Sequence, residues 1–187
     1  MPPSPPDLPL LLLCVDVQPG FLKSLPDAGE PLLRRCQFAV ASAVGLGLPV
    51  LFTEQVPHKL GSTAGELLAL APSPTRQYPK TTFSAFADDA IRDAITELKV
   101  EHVLLCGLET SVCVYQTALD AMGLSLQVTI LSDAVGARRQ EDAAICLQAL
   151  VRSGVHVLPA ETVFYSLLRD IHHPFFKPYT QLVKTHA

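Results

Sequence analysis

The chain has 187 residues, enough for one domain built around one sizeable core. Apolar residues make up 49% of it, yet no apolar run approaches the ~20 residues of a membrane-spanning helix, so no membrane role is expected. Net charge is −4 and the 14 Lys and Arg are scattered, which argues against a nucleic-acid surface with its basic stripe.

The Pro-rich start, residues 1–7, reads as a frayed tail. The run LPLLLLCV (8–15) is continuously apolar, as a central parallel strand requires. It is not read as a signal peptide, because no positive region precedes it and Asp16 closes it. Residues 30–47 pattern as a helix ending at Gly45 or Gly47, and PVLFT (49–53) as the next strand. Residues 54–83 carry four prolines and no clear pattern; unpatterned segments longer than ~12–15 residues are usually functional or disordered. Ser84 is placed to cap a helix over 85–98. A strand over 102–107, a helix over 111–122, a strand over 127–133, a helix over 139–152, a strand over 155–158 and a helix over 161–169 follow, before a tail rich in Pro and aromatics. This alternation implies an α/β domain, 1–187, with a parallel sheet of five strands and helices on both faces. Sites in such sheets lie beyond the carboxyl ends of the strands.

Two residues fall at such ends. Asp16 closes the first strand, as a turn former or as a general base. Cys113 stands in GLETSVCVYQT (107–117), at the third position of a helix if Thr110 caps it. Free backbone N–H groups and the helix dipole there would lower a thiol's pKa and could receive an oxyanion. The competing reading is a small buried hydrophobe. Lys80, in YPKTTFSAF, is either a solvated loop lysine or a cation that reaches the site. The five cysteines form no CxxC pair, and Cys14, Cys36, Cys106 and Cys146 fall at packing positions; free thiols in a reducing compartment are expected. No GxGxxG follows a strand, so no dinucleotide cofactor is expected.

VDVQ (15–18), KTTFSAF (80–86) and GLETSVCVYQTALD (107–120), in this order, resemble the isochorismatase-like cysteine hydrolases. TEQVPHKLGST (53–63), SDAVGARRQED (132–142) and HPFFKPYTQLVK (173–184) are similar to the subgroup of isochorismatase domain-containing proteins. The resemblance implies a six-stranded Rossmann-like, three-layer α/β/α fold, one strand more than the pattern shows. It implies a catalytic triad of Asp16, Lys80 and Cys113, a cis peptide between Leu108 and Glu109, and an oxyanion hole formed by the backbone N–H groups of Glu109 and Cys113. It also implies homo-oligomers.

Nicotinamidases of this family carry one aspartate and two histidines as metal ligands after the second strand. Here Thr53, Glu54 and Gln55 stand there with only His58 nearby, so neither metal nor cofactor is expected. True isochorismatases lack the cysteine that this chain has. Gln18, Phe21, Glu54, Gln55, Phe83 and Gln116 are candidates for the substrate pocket; Glu54, Gln55 and His58 serve equally well to tie down the loop. Asp133 is expected to pair with Arg138. The aromatics Phe164, Tyr165, Phe175, Phe176 and Tyr179 either pack on the domain or join subunits.

The expected function is metal-independent hydrolysis of a C–N bond in a small amide or carbamoyl compound, in the cytoplasm, through a thioester at Cys113. The alternatives are a non-catalytic scaffold or binding protein that keeps the triad and, less favoured by the acidic balance, a nucleic-acid role.

Overall fold

The computed structural model describes residues 9–25, 27 and 29–186; the Pro-rich stretch 1–7 lies outside them. Six strands form one sheet: β1 (Leu10–Val15), β2 (Val50–Gln55), β3 (Gln77–Lys80), β4 (His102–Leu108), β5 (Gln127–Gly136) and β6 (His156–Leu158). Their order is β3-β2-β1-β4-β5-β6 and every pairing is parallel. The chain leaves β1 toward β2 on one side and returns to β4 on the other. This is the doubly wound topology, and its switch point opens a crevice at the carboxyl ends of β1 and β4.

The helices are α1 (Pro19–Leu22), α2 (Gly29–Gly45), α3 (Pro57–Leu60), α4 (Gly65–Leu68), α5 (Asp89–Glu97), α6 (Tyr115–Gly123), α7 (Gln140–Arg152), α8 (Ala160–Leu168) and α9 (Phe176–His186). Side chains of a strand alternate between faces. Leu10, Leu12 and Cys14 therefore pack with Phe38 of α2, Phe164 of α8 and Tyr179 of α9. Leu11, Leu13 and Val15 pack on the other face with Ile91 and Ile95 of α5, Ala118 of α6 and Leu150 of α7. No helix among the described residues is long and apolar enough to cross a membrane.

The sixth strand, missing from the pattern, is β3. It is a four-residue edge strand, mostly half-buried, and it contains Pro79, which only an edge position accommodates. Residues 54–83 are thus not one loop but hold α3, α4 and β3. The helix expected over 85–98 is two elements. Ser84 caps a single 3₁₀ turn, Ala85–Ala87, and Asp88 then caps α5 by accepting from Ala90 and Ile91 N–H.

The aromatic tail folds back on the domain. Phe164 and Tyr179 are buried with Phe38, whose ring lies 6.1 and 5.7 Å from theirs. Tyr165 meets Tyr179 edge-on while remaining partly exposed.

Gly107 is fixed by backbone approach. It faces Val15 across β1–β4, at the point where the β4–β5 register shifts, with φ +115, and a Cβ there would lie 2.0 Å from the Val15 carbonyl oxygen. Gly107→Ala is expected to cost about 4 kcal/mol or more and to abolish the cooperative thermal transition seen by circular dichroism.

Cys14 and Cys106 are opposed across β1–β4, and the Cys36 thiol donates to the Ala134 carbonyl at 3.4 Å; all three are buried. Thiol hydrogen bonding within the trio and then burial hold Cys36 and Cys106 well above the ordinary 9.0. Cys14 is raised too, its bond to Cys106 working downward against burial. Unfolded thiols release protons near pH 9 while these keep theirs, so stability present below that pH is lost above it. Urea unfolding midpoints are expected to fall from pH 7.5 to about pH 10.5, and to fall less in Cys36→Ala. Equal drops in both proteins would contradict this. Cys146, on α7, is only half-buried rather than a core residue.

Candidate active site

Asp16 follows β1 with φ 53 and is fully buried. A carboxylate removed from water needs partners for its charge. Thr53, at the level of Val15 on β2, donates its hydroxyl to Oδ1 at 2.6 Å, and the Lys80 Nζ donates to Oδ2 at 2.7 Å. Lys80 ends β3, and both side chains of this ion pair are fully buried. The ammonium also meets Gln55 Oε1 at 2.6 Å and the Thr82 and Phe83 carbonyls at 3.1 and 3.2 Å. Four acceptors surround three N–H bonds. Lys80 therefore supplies charge to the site and has no spare proton for a bound molecule.

The same accounting removes two pocket candidates from free hydrogen bonding. Gln18 Nε2 donates to the Gln55 and Gly61 carbonyls, and its Oε1 accepts from Gln55 N–H at 2.7 Å. Gln55 spends its amide on Lys80 and on the Thr81 carbonyl, 3.2 Å away. Both residues brace the ends of β1, β2 and β3 against the 56–63 segment. Glu54 does likewise, accepting from the Thr63 N–H and hydroxyl at 2.7 and 2.9 Å. His58 is exposed.

Cys113 lies on the other side of the crevice, in a π-helical turn, Thr110–Val114, that enters α6. The cap is Glu109, not Thr110: the Glu109 carbonyl accepts Val112 and Val114 N–H at 3.1 and 3.0 Å. The Leu108–Glu109 peptide is cis. The Cys113 thiol faces the Asp16 carboxylate, and its pKa is pushed up to about 12, chiefly by burial and then by the charge of Asp16. Lys80 and the Glu109 backbone N–H pull the other way, more weakly. The lowered pKa expected from a helix start is thereby overturned: burial and a facing carboxylate outweigh the backbone donors. The resting group is a thiol with a proton acceptor beside it.

Glu109 has its carboxylate buried and paired with Arg138 Nε at 2.8 Å. Asp133 does not reach Arg138. It binds Arg35 of α2 and accepts from Ala160 N–H at 2.7 Å, joining β5 to α2 and α8. The extra residue in the π turn also shifts the phase of α6. Thr117 points inward and accepts from Ala85 N–H at 3.0 Å, while Gln116 is exposed. Phe83 is 54% exposed beside the carbonyl that Lys80 holds, and Phe21 is half-buried on α1.

The structure thus brings together Asp16, Lys80, Cys113 and the Glu109 backbone. Thr53, not a site candidate from sequence, joins them, and so does Arg138, expected on Asp133 but paired with Glu109; the alternation of β2, which puts Thr53 on the Leu51 side, is the signal that would have found the first. No group of three or more His, Cys, Asp or Glu among the described residues could hold a metal ion. A cavity of about 430 Å³ opens at the opposite end of the sheet, lined by His102, Thr129, His156 and apolar side chains of β1, β4 and α8. It contains no cysteine, and Asp16, Lys80 and Cys113 all lie at the other end of the sheet.

The family model of the isochorismatase domain matches residues 10–162. The chain belongs to the isochorismatase family. It is 34% identical over 178 residues to isochorismatase domain-containing protein 1 of Danio rerio, covering 95% of this chain and 62% of that protein. This isochorismatase-family chain therefore spans less than two thirds of that relative. Among solved structures, MAR1 ribonuclease from Caenorhabditis elegans superposes with a TM-score of 0.87 at 28% identity, covering 95% of this chain and 91% of that one. The YcaC gene product of Escherichia coli, an octameric hydrolase of unknown specificity, gives 0.81 at 20% identity over 99% and 98% of the two chains. At that identity the likeness to YcaC speaks for the fold.

Proposed function

We propose that the protein is a metal-independent cysteine hydrolase that cleaves a C–N bond of a small amide or carbamoyl compound. The observation that carries this reading is the buried Asp16 carboxylate, which binds the Lys80 ammonium and lies near enough to the Cys113 thiol for its charge to raise that pKa. Asp16 takes the thiol proton as Sγ attacks the substrate carbonyl. The backbone N–H groups of Glu109 and Cys113 receive the oxyanion, and Lys80 balances the charge throughout. As the tetrahedral intermediate collapses, the C–N bond breaks and Asp16 returns the proton to the leaving amine. Water, deprotonated by Asp16, then hydrolyses the thioester. No step calls on a metal.

The test is ammonia or amine release from a panel of small primary amides, ureas and carbamoyl compounds. Turnover of at least one member is expected, with loss in Cys113→Ala and an acyl-enzyme trapped by hydroxylamine. Turnover that survives Cys113→Ala would overturn the mechanism.

A second reading comes from the nematode neighbour, which is named a ribonuclease. RNA cleavage in a groove of Lys and Arg would show binding that weakens steeply with salt; the net charge of −4 and a site holding one saturated lysine favour the small-molecule reading. The scaffold reading draws on the burial of Cys113, which is 2% exposed, and expects a thiol inert to every acylating agent. The free thiols suit a reducing compartment such as the cytoplasm. Assembly into homo-oligomers is part of this proposal, in keeping with the octameric E. coli hydrolase.

A further inference from the structure

We infer that Arg138 is a positioning residue for acyl transfer: through the buried Glu109 carboxylate it fixes the backbone N–H that receives the oxyanion. The inference rests on the cysteine-hydrolase reading above.

Glu109 has two jobs in one residue. Its carbonyl caps the turn that carries Cys113, and its N–H belongs to the cis peptide that leads into that turn. Its side chain points away from solvent, 5% exposed, where a carboxylate without a partner would swing out to find water. The partner is Arg138, beyond the end of β5. Its Nε donates to Oε1 at 2.8 Å, and its own backbone N–H reaches Oε1 and Oε2 at 3.3 Å each. The Arg138 side chain is itself 63% exposed, so core packing does not account for its place. The next residue, Arg139, is turned to Asp142 at 2.8 Å and does not substitute for it. An arginine that is mostly in water thus anchors a buried carboxylate one side chain away from an oxyanion donor. Such donors act only when aimed at the oxygen in the transition state, so a small rotation of the Glu109 peptide is costly to the rate.

The experiment compares two reactions of Cys113. With p-nitrophenyl acetate, Sγ attacks the acetyl carbonyl, an oxyanion forms, and p-nitrophenolate leaves. With iodoacetamide, Sγ displaces iodide and no oxyanion forms. Both are followed at matched pH in wild type, Arg138→Met, Arg138→Lys and Cys113→Ala. Arg138→Met is expected to slow acylation about 10- to 100-fold while alkylation changes less than about threefold, with Arg138→Lys in between. Equal loss in both reactions, or no loss in acylation, overturns the positioning role. Should the p-nitrophenolate burst persist in Cys113→Ala, the cysteine-hydrolase reading fails instead. Arg138→Met keeps the backbone N–H and sits at the surface; a thermal melt of each variant shows that the fold is retained.

Discussion

Asp16→Asn is expected to slow hydrolysis about a thousandfold and, at the same time, to make Cys113 easier to ionise. The two effects have opposite signs because Asp16 does two things. In the proposed mechanism it accepts the thiol proton, and an amide cannot; general-base catalysis contributes roughly 10²–10⁴. It also holds a negative charge against the sulfur, which is one of the causes that push the thiol up to about 12. Removing that charge lowers the pKa and leaves Lys80 to stabilise the thiolate. The pH profile of iodoacetamide labelling should therefore move to lower pH in Asp16→Asn, while amide turnover collapses. A simple structural lesion would depress both. In the wild type, labelling of Cys113 should rise with pH through the alkaline range, with no plateau below neutrality.

Lys80→Met is the second large effect, and it falls on stability as well as on chemistry. The substitution leaves the Asp16 carboxylate buried without its cation, and it strips a donor from Gln55 Oε1 and from the Thr82 and Phe83 carbonyls. Breaking one side of a buried pair costs about 3–5 kcal/mol, which for a domain of this size is a fall in Tm of about 6–20 °C. The Cys113 thiol moves further up, because Lys80 is the charge that pulls it down. Activity should be lost. The double variant Asp16→Asn/Lys80→Met separates the causes. With no orphaned charge, it should recover part of the Tm lost in Lys80→Met, yet remain inactive. A double variant no more stable than Lys80→Met would show that the ion pair is not what the lysine stabilises.

Much of this was legible in the sequence because it rested on short-range patterns. Continuous apolar runs gave the buried strands, and the positions of Asp16 and Cys113 after two of them placed both at the carboxyl end of the sheet. What escaped was set by neighbours distant in sequence. β3 has no apolar run because it is an edge strand with one half-exposed face and a proline. The helix over 85–98 breaks because Asp88, like Ser84, offers a cap, and periodicity alone does not rank two caps. Ordinary helical spacing puts Gln116 on the Cys113 side, whereas after the π turn Gln116 is exposed and Thr117 is the buried residue, bound to Ala85 N–H. The thiol's pKa was misjudged for a similar reason. A helix start is visible in sequence, whereas burial and the approach of Asp16 from β1 exist only once the sheet has formed. Arg138 was matched to Asp133, which shares its strand region, but β5 carries Asp133 toward α2 and Arg35 instead.

The most direct test of the Asp16–Lys80–Cys113 unit is rapid-quench peptide mapping after a brief pulse of p-nitrophenyl acetate. It reads where the acetyl group lands in wild type and in Asp16→Asn. The account predicts acetyl on Cys113 ahead of every other cysteine and lysine in both proteins, because the Asp16→Asn thiol ionises more easily and p-nitrophenolate leaves without a proton; the acetyl group should then persist longer in Asp16→Asn, where no carboxylate activates the hydrolytic water. Acetyl spread over exposed lysines and half-buried Cys146 with none on Cys113, or acetyl lost from Cys113 equally fast in the two proteins, would contradict it.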